Sequence, residues 1–237
     1  MASRNASFHE RGIFGAVFAP VKWFFGMSLL LLVLIAAAWV IDWVFVFKVW
    51  PDGVGKLESI LSADLDRAAE LGESCSDLPR FAASTANFLY ALLFEATGIH
   101  GMGAKFAQAS SLSIPDTIVR NTYISNFEVI RVAMIGTQLF GVRLAILITA
   151  LPLLTLVYGA ALADGLVQRA IRRASGGRES ASLYHRAKHL QMMLLVTTAV
   201  IVLLLPASID PRCIWMPSAL AVAIVARMQW AYYKKHL

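Results

Sequence analysis

Apolar positions along this chain gather into four long runs, at 23–47, 142–163, 190–207 and 214–233. Each approaches the ~20 consecutive apolar residues that a helix needs to cross a bilayer. Aromatic residues stand where the runs would meet water, among them Trp23, Trp43, Trp50, Trp215, Trp230, Tyr232 and Tyr233, as interfacial belts require. A fifth stretch, 81–99, has the right length but carries Ser84, Thr85, Asn87 and Glu95. It reads instead as an amphipathic helix outside the membrane. The 48–141 segment holds two more helical patterns. One covers 54–71, with Leu57, Ile60, Leu61, Leu65 and Ala68 at helical spacing among acids. The other starts after Pro115 and runs toward the second span.

The expected fold is therefore an all-α membrane protein with four transmembrane helices. Its segments are an N-terminus at 1–22, spans at 23–47 and 142–163, and between them a helical external segment at 48–141. A basic hairpin follows at 164–189, then spans at 190–207 and 214–233 joined by a loop at 208–213, and a tail at 234–237. Composition agrees, since 58% of residues are hydrophobic and only 15% charged, which lies outside soluble globular usage.

Charge orients the spans. The hairpin carries six Lys/Arg against two acids, whereas 48–141 carries seven against ten. With the basic N-terminus, hairpin and tail on one side, the positive-inside rule places both termini in the cytoplasm and 48–141 in the periplasm. A fifth span at 81–99 would send one of the basic segments to the wrong side. No small-residue cleavage site follows the first run, which is too long for a signal-peptide core, so it reads as an uncleaved anchor.

Few residues suggest chemistry. Asp42 and Arg143 lie at similar depth near the external ends of their spans, where an ion pair between them is open, as is separate contact with headgroups. Arg227 reads as snorkelling, and Pro152 as a kink within the second span. Cys75 and Cys213 fall on the same, oxidising side, so a disulfide or two unrelated thiols are both open. Gly159 with Ala163, and Ala219 with Ala223, offer small residues at four-residue spacing for close helix packing or a homo-oligomer. His185 and His189 have metal-sharing spacing but no third ligand. Phosphate-loop and hydrolase motifs are missing, so the reading is not an enzyme and needs no cofactor.

In the hairpin, Arg169, Arg172 and Arg173 occupy one arc of a helix continuing from the second span until Ser175, Gly176 and Gly177 break it. Such an arc suits anionic lipid or an acidic protein face. Direct DNA contact is disfavoured, because the loop is short and Tyr184 is its only aromatic residue.

The order D-G-L-V (from Asp164), R-x-x-R-R (Arg169 to Arg173), G-R-E-S (Gly177 to Ser180) and Y-H-x-A-K (Tyr184 to Lys188) resembles a family of inner-membrane proteins of integrating conjugative elements and some conjugative plasmids. The resemblance extends loosely to Trp50, Arg143 and Pro152. It implies a setting among conjugative transfer functions, near a TraD-like coupling ATPase that delivers DNA to a type IV secretion channel. The expected partners are that ATPase or other inner-membrane secretion subunits, together with anionic lipids. The residues expected to meet them are Asp164, Gly165, Arg169, Arg172, Arg173, Arg178, Glu179, Tyr184, His185 and Lys188. The alternative is a stand-alone oligomeric channel or transporter.

Overall fold

The computed structural model describes residues 2–72, 77–108, 114–176 and 181–233. The described residues form no strand and eight α-helices. They are α1 (Ala2–Val44), α2 (Val54–Gly72), α3 (Leu78–Tyr90), α4 (Ile99–Gln108), α5 (Ile114–Ser125), α6 (Phe127–Ala174), α7 (Ala181–Leu204) and α8 (Pro211–Ala231). Single π-helical turns close α1 at Phe45–Val49 and α3 at Ala91–Glu95. Among the described residues, four stretches are long and apolar enough to cross a membrane: Pro20–Val49, Phe127–Ala174, Ser182–Leu204 and Pro211–Ala231. They contain the four runs expected from hydropathy, apart from the last three residues of the 190–207 run and the last two of the 214–233 run.

Helix α6 is the spine. Its 48 residues correspond to about 70 Å at 1.5 Å per residue, twice what a bilayer core needs. One end packs with α7 and α8, and the other extends past them to receive α1, α2 and α3. The pattern starting after Pro115 therefore does not run straight into the second span. It breaks at Asn126, between α5 and α6. The expected helix at 81–99 likewise stops short, as α3 and its π turn, and a further helix, α4, begins at Ile99. Gly98 makes the turn between them with φ of 76°.

Three buried clusters hold the long end of α6. Val46, Leu57, Ile60, Val132, Ile135 and Leu139 join α1's π turn and α2 to α6. Ala68, Ala82, Ala86, Val142, Ala145 and Ile146 join α2, α3 and α6. The small side chains of this second cluster let the backbones approach: a Cβ on Gly141 would lie 2.5 Å from Ala86 Cα. Ile35, Ala38, Leu89, Phe140 and Leu203 tie in α1 and α7. Helices α2 and α3 of the 48–141 segment are thus packed along the spine.

Two expectations about packing change. Gly159 is exposed, with nothing within 4 Å of a Cβ built on it, so it makes no close helix contact; Gly141 and Gly165 do. Leu65, expected on the inner face of α2, is 38% exposed, while Asp64 beside it is 6% exposed. The buried face of α2 runs Leu57, Ile60, Asp64, Ala68 and Gly72, an i, i+3, i+4 stripe with an acid in the middle.

Candidate functional site

At the end of α7 and α8 remote from the hairpin, the buried Asp64 meets Arg143. Arg143 donates through Nε to Asp64 Oδ2 at 2.8 Å, through Nη2 to the Ala207 carbonyl at 3.0 Å, and through Nη1 to the Leu205 carbonyl. Asp64 also accepts from Arg67 at 3.2 Å and from Ser208. One guanidinium therefore satisfies an acid on α2 and two carbonyls of the α7–α8 connection. The carbonyls left over where α7 ends find donors in this way.

Of the two readings left open for Arg143, pairing with Asp42 or separate contact with headgroups, the structure shows neither: Arg143 pairs with Asp64 instead, and the reason is register. Trp39 donates to Thr137 at 2.9 Å, and Asp42 lies over Gly136, whose added Cβ would stand 2.6 Å from Asp42 Oδ2. Gly136 precedes Arg143 by seven residues, about 10 Å along the helix axis. Depth counted from separate span ends does not capture that offset. Cys213 is a free, exposed thiol in the first turn of α8, and Cys75 lies outside the described residues.

At the other end, α6 continues as a helix through Ala174 before Ser175 and Gly176 turn the chain. Gly176 has φ of 71°, a left-handed conformation that glycine adopts without steric cost. Gly165 sits where α6 and α8 nearly touch: a Cβ there would be 2.7 Å from the Arg227 carbonyl and 2.9 Å from Trp230 Cβ. Asp164, one residue earlier, is paired with Arg227, so Arg227 has a protein partner at the surface, with about half its side chain exposed.

The arginine arc divides in two. Arg172 donates to the Ala231 carbonyl at 3.0 Å and stacks over Tyr232 at 3.8 Å, a cation at the negative end of the α8 dipole. Arg169 lies over Tyr233 at 5.2 Å. Tyr184 packs against Tyr233, with ring centroids 5.4 Å apart, and Trp230 donates to Tyr158 at 2.9 Å. These side chains bind the end of α8 to the hairpin. Arg173, His185, Arg186, Lys188 and His189 remain exposed, so the hairpin presents the cations Arg173, Arg186 and Lys188 to its surroundings. Arg178 and Glu179 lie outside the described residues.

Sequence reasoning missed the roles of Asp64, Arg186, Tyr232 and Tyr233. An acid inside the apolar stripe of α2 was the available signal for the first. Tyr232 and Tyr233 were visible only as belt residues, because their cation partners lie some 60 residues away in sequence. Among the described residues no group of three His, Cys, Asp or Glu is placed to hold a metal.

The sequence pattern of the DtrJ-like family, described as IncC plasmid conjugative DNA transfer proteins, matches residues 50–234. No curated protein and no solved structure matches the chain.

Proposed function

The chain belongs to the DtrJ-like family of conjugative DNA transfer proteins, and from that premise we propose that it is a non-enzymatic, multi-pass subunit of the bacterial inner membrane. It serves a type IV secretion system by binding or stabilising the coupling ATPase. The observation that carries this reading is the set of exposed cations on the hairpin, Arg173, Arg186 and Lys188, with His185 exposed beside them, on a frame braced by Arg169 and Arg172 against the end of α8. A rigidly presented group of charges loses less entropy on docking than a flexible loop would. Exposed cations also favour an acidic protein face and speed its capture.

The orientation proposed has both termini and the hairpin in the cytoplasm, where a coupling ATPase would meet them, and α2 to α5 in the periplasm. It rests on the distribution of Lys and Arg. The test is purification of the tagged protein from donor-cell membranes in mild detergent, followed by mass spectrometry. Stoichiometric recovery of a coupling ATPase or secretion subunit supports the proposal. Recovery of the chain alone as a defined oligomer overturns it in favour of a channel.

A further inference from the structure

On the outer side of the α6–α8 contact, two depressions meet at one residue. The first is an apolar cleft between the helices, floored by Ala160, Ala161 and Ala223 and walled by Val157 and Ile224, which ends at Asp164 and Arg227. The second continues from Arg227 toward the hairpin and is lined by Gln168, Arg172, Met228 and Tyr232. The floor is low because three alanines occupy it. The polar end is formed by the last turn of α8, where the helix leaves its apolar run.

The charges at the junction are two cations and one anion. Asp164 occupies the Nε edge of Arg227, and Arg172 commits one donor to the Ala231 carbonyl. A guanidinium has five N–H donors in a planar fork, so these contacts leave both residues with further donor capacity. Tyr232 fixes the plane of Arg172 by stacking at 3.8 Å. An apolar trough at bilayer depth leading into two guanidinium groups at its water-facing end has the polarity of a phospholipid: hydrocarbon along the trough, phosphodiester at the arginines. Guanidinium suits phosphate because parallel N–H donors match its oxygens.

We infer that this groove is a binding site for one anionic phospholipid of the leaflet at the hairpin end, with an acyl chain along Ala160 and Ala223 and its phosphate between Arg172 and Arg227. The site differs from the exposed hairpin surface assigned above to a protein partner, and it does not depend on which side of the membrane the hairpin occupies. A lipid seated there would bridge α6 and α8 beyond their contact at Gly165.

The experiment is native mass spectrometry of the full-length protein in a neutral detergent, titrated with phosphatidylglycerol or phosphatidylcholine. The expected result is one phosphatidylglycerol retained at least fivefold more tightly than phosphatidylcholine. Arg172→Gln combined with Arg227→Gln should remove that preference, while Arg173→Gln keeps it. Because the double variant disturbs the Asp164 pair, Ala223→Phe provides an independent check: it fills the trough without touching a charge and should also weaken retention fivefold or more. Equal retention of the two lipids by the unaltered protein, or undiminished phosphatidylglycerol binding in Ala223→Phe, overturns the inference. So does full competition by soluble glycerol 3-phosphate, which would make the site one for a free phosphate.

Discussion

Arg143 on α6 and Asp64 on α2 form an ion pair at 2.8 Å with both side chains 7% exposed. The pair sits where four parts of the chain converge: α2, α6, the end of α7 and the connection to α8. Buried pairs add little net stability over an apolar replacement, but removing one partner strands the other charge.

Asp64→Asn or Arg143→Gln should therefore destabilise the protein by roughly 3–5 kcal/mol, read as a fall in the thermal midpoint in detergent. Asp42→Asn should cost much less, because Asp42 makes no ion pair with Arg143. If Asp42→Asn proved as damaging as Asp64→Asn, the register of α1 on α6 described above would be wrong.

Joint replacement Asp64→Leu with Arg143→Met should recover much of the loss from either single change, since neither charge is then stranded. The two carbonyls of Leu205 and Ala207 lose their donor in this variant, so recovery should be incomplete. A double-mutant cycle on the thermal midpoint measures it.

Gly165→Val should separate α6 from α8, because its first added carbon would lie 2.7 Å from the Arg227 carbonyl. Overpacking of this kind costs about 1–3 kcal/mol. Gly159→Val, at an exposed position with open space around it, serves as the matched control. The measurement is the yield of monodisperse protein together with its thermal midpoint.

The two halves of the arginine arc should respond differently. Arg173→Gln should leave stability within about 0.5 kcal/mol yet reduce recovery of a coupling ATPase from donor membranes. Arg172→Gln should lower the thermal midpoint, since it removes both a carbonyl contact and an aromatic stack. Equal effects of the two on both readouts would remove the distinction between bracing and presenting residues.

Orientation is testable through Cys213, which is exposed at the start of α8. In a Cys75→Ser background, a membrane-impermeant maleimide should label Cys213 in cells whose outer membrane has been opened. A cysteine placed at Arg173 in a chain lacking both natural cysteines should react only after the inner membrane is broken. The reverse pattern would invert the proposed topology.

The four membrane-length helices, the helical course of 54–71 and the continuation of the second span to Ala174 were all legible in the amino-acid sequence. Apolar length and helix-breaking residues are properties of consecutive positions, and no distant contact is needed to read them. The conjugative family was legible too, because the motifs at Asp164–Lys188 are local. Tertiary structure alone decided the partners. Arg143 chose Asp64 over Asp42 because the packing of Ile35, Ala38 and Phe140 sets the register of α1 against α6. Arg169 and Arg172 turned from a surface arc into braces because α8 ends beside them and brings Tyr232 and Tyr233 within reach. A charge seeks whichever counter-group or ring the packed helices deliver to it, and apolar packing settles that delivery through contacts between residues far apart in the chain.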